Sequence, residues 1–156
     1  MLKNRHRVLV IIKNDYLRFE LVTLLSGYGY HVEDCENRLD GMRKFRAHKQ
    51  PIIIFDVPTL RTFSKRIFTL IRLVQRHAIV LIAATKKEDP FAFDIMKLGA
   101  YDILNVPLKT EFLIHTLARA QEYHTRVMEN IFVKNFIFLI LLLAPIWIYT
   151  VWLLAQ

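Results

Sequence analysis

Most of the residue types that could do chemistry in this chain stand at spacings that do none. Six histidines (His6, His31, His48, His77, His115 and His124) are spread through it, and the nearest pair, His115 and His124, is nine residues apart. Imidazoles that share a metal from one helix sit a turn apart, so surface or capping roles are expected. Cys35 is the single cysteine, which excludes an internal disulfide and a thiolate cluster and suits a reducing compartment. Ser26 and Ser64 have no evident base beside them. Gly27 and Gly29 make a turn rather than a phosphate-cradling loop. Glu33, Asp34 and Glu36 read as a solvated acidic face. One carboxylate stands differently: Asp56 closes the apolar run Ile52–Phe55 and can accept hydrogen bonds from the Val57–Leu60 loop that follows, or pair with Lys13. No catalytic set, cofactor or metal site is expected, and the chain does not read as an enzyme.

The elements that must position Asp56 are legible from periodicity. Val8–Ile12, Ile52–Phe55 and Ala78–Ala83 are apolar, β-branched-rich runs of strand length, with weaker strands at Tyr30–Cys35 and Tyr101–Asn105. Between them Asp15–Leu25, Arg38–His48, Phe63–Gln75 and Asp89–Leu98 carry apolar residues at helical spacing. Asn14 suits an N-cap, Asp89-Pro90 a cap with proline at the first helical position, and Gly27–Gly29 and Gly99 suit helix ends. A fifth helix begins at Thr110. Five strands alternating with five helices, apolar on both faces, predict a parallel sheet covered on both sides.

With these runs in view, the chain resembles the CheY-like receiver domain of bacterial response regulators over about residues 6–123. Arg7-Val-Leu-Val-Ile-Ile-Lys-Asn-Asp-Tyr-Leu-Arg18 resembles the first strand, acidic turn and first helix of that family. Pro51-Ile-Ile-Ile-Phe-Asp56 is similar to the third strand ending in the phosphoacceptor, and Ala78-Ile-Val-Leu-Ile-Ala-Ala84 to the fourth strand. Leu98-Gly-Ala-Tyr-Asp-Ile-Leu-Asn-Val-Pro-Leu108 is the most specific match. The resemblance implies a flavodoxin-like (βα)5 doubly wound sheet, order 2-1-3-4-5, with a ligand crevice at the carboxyl ends of strands 1 and 3. It also implies a cis peptide before Pro107.

The family's switch chemistry is mostly missing. Its paired acidic residues after strand 1 are here Ile12 and Lys13; its hydroxyl after strand 4 is Ala83, with Thr85 two places late; its lysine before the proline is Val106. Of the usual set only Asp56 survives. Mg²⁺ takes octahedral oxygen coordination, which one carboxylate cannot supply while also acting as nucleophile. The expectation is a degenerate, pseudo-receiver site in which the Lys13 ammonium takes the place of the metal and holds Asp56 ionised.

Two further features bear on partners. Phe136–Ala155 is an uncharged run of about twenty residues, enough for a helix to cross a hydrocarbon core of roughly 30 Å. Trp147, Tyr149 and Trp152 lie toward its far end, Pro145 sits within it, and Arg119, Arg126 and Lys134 precede it. By the positive-inside rule the N-terminal domain is expected to face the cytoplasm. Met1–Arg7 is basic and the following apolar run is short, so no signal peptide is expected. The formal charge of +8 falls wholly before Asn135. Its basic residues are scattered (Lys3, Arg5, Arg7, Arg61, Lys65, Arg66, Arg72, Arg76, Lys86, Lys87) and no DNA-reading motif accompanies them, so nucleic acid is not the expected partner.

Leu113, Leu117, Ala120, His124, Val127 and Ile131 recur at alternating four- and three-residue steps, close to a coiled-coil seam. The expected organisation is a receiver-like domain over 1–125, a helical stalk over 126–135 carrying His124, Val127 and Ile131 into it, and a single transmembrane helix over 136–155. The leading expectation is a membrane-anchored, non-catalytic docking module at the bacterial inner membrane. The family's partner surface would place Phe91, Phe93, Tyr101, Leu113 and Leu117 in contact with other proteins, Phe91 and Phe93 in the exposed tip Lys86–Phe93. The fifth helix and stalk would meet either a second copy of the chain or a partner helix. The alternatives are an atypical two-component receiver phosphorylated at Asp56 and a structural subunit of a membrane complex.

Overall fold

A computed structural model of the chain describes residues 7–61, 63–84 and 90–154, with side chains as far as Pro145 and that of Trp147. Lys3, Arg5, His6, Thr85, Lys86, Lys87, Asp89 and Gln156, and the side chains of Tyr149, Thr150 and Trp152, lie outside the described residues. β1 (Arg7–Ile11), β2 (His31–Cys35), β3 (Ile52–Asp56), β4 (Ile79–Ala84) and β5 (Asp102–Asn105) form one parallel sheet in the order β2-β1-β3-β4-β5. This is the expected flavodoxin-like topology, and each strand boundary lies within one residue of the periodicity reading.

Alternation along the strands divides the core in two. Leu9, Ile11, Ile53, Phe55, Val80 and Ile82 face one side, covered by α2 (Arg38–His48), α4 (Ser64–Val74) and α5 (Pro90–Lys97) through Phe45, Ile67, Phe68, Ile71 and Ile95. Val8, Val10, Ile52, Ile54 and Leu81 face the other, under α1 (Asp15–Gly27) and the start of α6 (Thr110–Leu154) through Leu21, Leu25, Leu113 and Leu117. Burying each such side chain contributes on the order of 1.5–3 kcal/mol. The central strands are apolar on both faces because both faces are covered. The outer strands β2 and β5 are not, and there the sequence is correspondingly polar.

The helix ends follow local chemistry. Asn14 and Asn37 accept from the Leu17 and Asp40 N–H groups and cap α1 and α2. Lys49 closes α2 in the left-handed region at φ 50°, a terminator that composition did not betray. Gly99 takes φ 102° after α5, where a side chain would be strained. One element departs from expectation: α3 (Val57–Leu60) forms where a loop was predicted, because Asp56 caps it and Pro58 suits a first turn.

The described chain divides into two compact units, one ending at His124 and one beginning at Thr125. α6 is a single helix of 45 residues that includes Pro145. Its apolar part has a mean hydropathy of 1.9 with none of that window buried, so it is long and apolar enough to cross a membrane.

Candidate functional site

Parallel register brings the predicted site residues to one place. Ile11 pairs with Phe55, Asp56 with Ala83 and Ala84 with Asn105, so the carboxyl ends of β1, β3, β4 and β5 lie side by side. Ile12 and Lys13 follow β1 there, and Val106 and Pro107 follow β5 across a cis peptide. Ile12, Lys13, Asp56, Ala83, Val106 and Pro107 therefore share the crevice edge that the resemblance assigned to them.

Within that edge Asp56 is 4% exposed, and both of its oxygens are engaged by main chain. The Lys13 N–H donates to Oδ2 at 2.9 Å and the Thr59 N–H donates to Oδ1 at 3.1 Å. The Lys13 side chain is exposed and forms no ion pair with Asp56, which corrects the expectation that its ammonium would hold the carboxylate. A long, strongly hydrated lysine gains little from entering this pocket, whereas its amide is already placed by the turn after β1. Ile12 is wholly buried among α1 and α6 residues, and Ala83 offers no polar side-chain atom. The residues present do not fit the divalent cation of the receiver family: a single carboxylate, each oxygen already accepting one main-chain N–H, is the only acidic donor that the crevice-edge set contains. Among the described residues no three of His, Cys, Asp and Glu come together in a way that could hold a metal ion.

A neighbouring arginine escaped the sequence reading. Arg18 donates to the Ile12 carbonyl at 2.8 Å, bonds Asp15, and lies 3.3 Å from Asp34. It ties α1, the turn after β1 and β2 together beside the crevice. Its spacing from Asp15 was the available signal. Of the acidic cluster, Glu33 is likewise tied into the fold, whereas Glu36 is exposed. Burial alone would raise the pKa of Glu33, but hydrogen bonds from Arg7 at 2.6 Å and His48 at 2.8 Å outweigh it and hold the carboxyl below its usual range.

The expected partner surface is only partly a surface. Leu113 and Leu117 are buried against the sheet and so are unavailable to a partner; the packing that α6 must make corrects that expectation. Phe91 packs partly into the core, with Arg61 5.9 Å above its ring. Phe93 on the same helix is 55% exposed. Tyr101 is half-buried, its ring centroid 5.8 Å from that of Tyr123. His124, expected in the stalk seam, belongs to the first unit: Gln75 Nε2 lies 3.5 Å from its Nε2. Burial, and then the charge of His77, lower its pKa. Val127 and Ile131 are half-exposed in the second unit.

Neither a protein family nor a curated protein sequence matches the chain. Solved structures do. A response regulator receiver domain protein from Clostridium thermocellum superposes with a TM-score of 0.70 at 21% identity, over 78% of this chain and 98% of that one. A beryllofluoride-activated NtrC4 receiver domain gives 0.68 at 23% identity, over 76% and 98%. A pilus assembly-related protein from Burkholderia pseudomallei gives 0.64 at 20%, over 78% and 93%. The class that fold and topology define is the flavodoxin-like receiver fold. At these identities the likeness is one of fold.

Proposed function

We propose that the chain is a membrane-anchored pseudo-receiver that acts as a non-catalytic protein–protein docking or scaffold module in bacterial signalling or envelope-machine assembly. The observation that carries the reading is Asp56, which spends both oxygens on main-chain N–H groups in a crevice that Ile12, Ala83 and Val106 leave without further oxygen donors from their side chains. A carboxylate so used caps α3 and closes the turn after β1; it is a structural acceptor. The sharing of a fold with a pilus assembly-related protein is in keeping with an envelope setting. The apolar part of α6 supports anchoring at the inner membrane with the folded domain in the cytoplasm. Phe93 and Tyr101 remain the accessible part of the surface the resemblance assigned to partners, and Val127 and Ile131 the part of the stalk that would meet a second copy.

Addition of beryllofluoride or a small phosphodonor with Mg²⁺ to the detergent-solubilised chain tests the first half. The amide resonances of Asp56 and Ala83 are expected to stay in place, and no acid-labile acyl phosphate should form. Shifts at both positions with a stable aspartyl phosphate would establish the other reading, a working two-component receiver. Exchange of residues 136–155 for an unrelated span tests the tail: retained function is expected of an anchor, and lost function would make the helix a packing subunit of a membrane complex.

A further inference from the structure

Between α2 and α4, on the face of the sheet away from α1 and α6, lies a groove of about 460 Å³. Its floor is apolar, formed by Met42, Ile67 and Leu70. Leu39 and Phe63 also line it, yet they are 72% and 40% exposed, so they add apolar surface that the fold's own core leaves uncovered. Four arginines line it too: Arg38, Arg43, Arg46 and Arg66. Arg38 stands 4.4 Å over the Phe63 ring, and Arg66 lies 5.9 Å from the same ring. Arg43 is 3.5 Å from Asp40 on its own helix, while among the described residues no carboxylate pairs with Arg38, Arg46 or Arg66. Guanidinium groups gathered around a low-dielectric patch repel one another, and carboxylates brought by a partner would relieve that repulsion while accepting bidentate hydrogen bonds.

We propose that this groove docks an acidic amphipathic helix of a protein partner. α2 and α4 have 11 residues each, which at the helical rise gives walls of about 16 Å and room for roughly three turns of a third helix. A rod with an apolar stripe at i, i+3, i+4 and i+7 fills the Met42–Ile67–Leu70 floor, and glutamates along its edges meet the arginines. A flat anionic bilayer would reach the arginines and leave the floor empty. The proposal deepens the docking reading and rests on it. The phosphodonor titration tests that reading at Asp56, and the experiment below tests the groove, so either can fail alone.

The probe is a labelled synthetic peptide of about eighteen residues with leucines on one helical face and glutamates on the other, long enough to form a helix when bound. It is titrated by fluorescence anisotropy against the full chain in zwitterionic nanodiscs. Saturable, salt-sensitive binding is expected, and the double variant R38E/R66E should bind at least about tenfold more weakly through lost and reversed charge. Leu39→Ser, at an exposed position that the fold does not use, should weaken binding with unchanged melting temperature. A peptide with lysine in place of glutamate should not bind. Equal binding of the lysine peptide, or affinity of both variants within about twofold of the parent, would overturn the proposal. So would arginine-dependent binding of short-chain phosphatidylglycerol without binding of the glutamate peptide, which would make the groove a lipid site.

Discussion

At the scale of single residues, Asp56 holds two turns of main chain together. Its oxygens answer two N–H groups, from Lys13 and Thr59. Asp56→Ala strands both donors and removes the cap of α3, so a loss of about 2–4 kcal/mol is expected in chemical denaturation. Asp56→Asn keeps one acceptor oxygen and should lose about half as much. A loss from Asp56→Asn as large as that from alanine would mean that the charge, rather than the acceptor geometry, matters. Glu33 makes a pH prediction. Its folded pKa lies below the unfolded value, so the unfolded chain takes up the proton first. The stabilisation is therefore present above an unfolded pKa of about 4.3 and is lost as pH falls through the folded value. Thermal melts between about pH 6 and pH 3 should show this decline, and Glu33→Gln should flatten it.

At the scale of elements, the close approach of α2 to β1 sets a limit that helix propensity does not foresee. Gly41 is buried, and a Cβ added there runs into the side chain of Ile11. Glycine to alanine in an open helix gains up to about 1 kcal/mol, but overpacking a buried contact costs about 1–3 kcal/mol. Gly41→Ala is expected to lower the melting temperature, and a rise would show that Ile11 moves aside at little cost. The same distinction between packed and open faces divides α6. Leu113, Leu117 and Ala120 are buried against the sheet, whereas Val127 and Ile131 are half-exposed beyond His124. If the stalk pairs two copies, Val127→Cys in a Cys35→Ser background should crosslink between chains under mild oxidation in membranes, while Glu129→Cys on another face should not. Equal yields at the two positions would argue against a seam.

For the molecule as a whole, charge is partitioned sharply: net +8 before Asn135 and none after it. A charged residue at the centre of a spanning helix costs about 2.5–3.5 kcal/mol. If the apolar part of α6 spans a membrane, Ile140→Lys together with Leu141→Lys should move the chain from the alkaline-carbonate pellet to the supernatant. Persistence in the pellet would mean that something other than the apolar helix holds it there.

How much of this was readable in the chain depends on the range of the interaction. The five strands and their parallel arrangement follow from apolar period and turn residues, because those signals are local and repeat over many positions; the strand order and the crevice at the ends of β1 and β3 are what the family resemblance implied. The absence of acidic residues at 12 and 13 and of a hydroxyl at 83 was equally plain. The fate of Lys13 was not: its residue type suggested an ammonium ligand, and only the turn after β1 decides that its amide meets Asp56. Leu113 and Leu117 looked like partner contacts by resemblance and are core by packing. Arg66 seemed part of a scattered charge, and Arg38, Arg43 and Arg46 drew no reading, until the apposition of α2 and α4 set all four around Phe63. Sequence alone determined the five strands, the helices between them other than α3, and which residue types stand at 12, 13, 56, 83 and 106, since these depend on residue type and local period. Tertiary structure decided which side chains share a surface, since that depends on contacts between residues far apart in the chain.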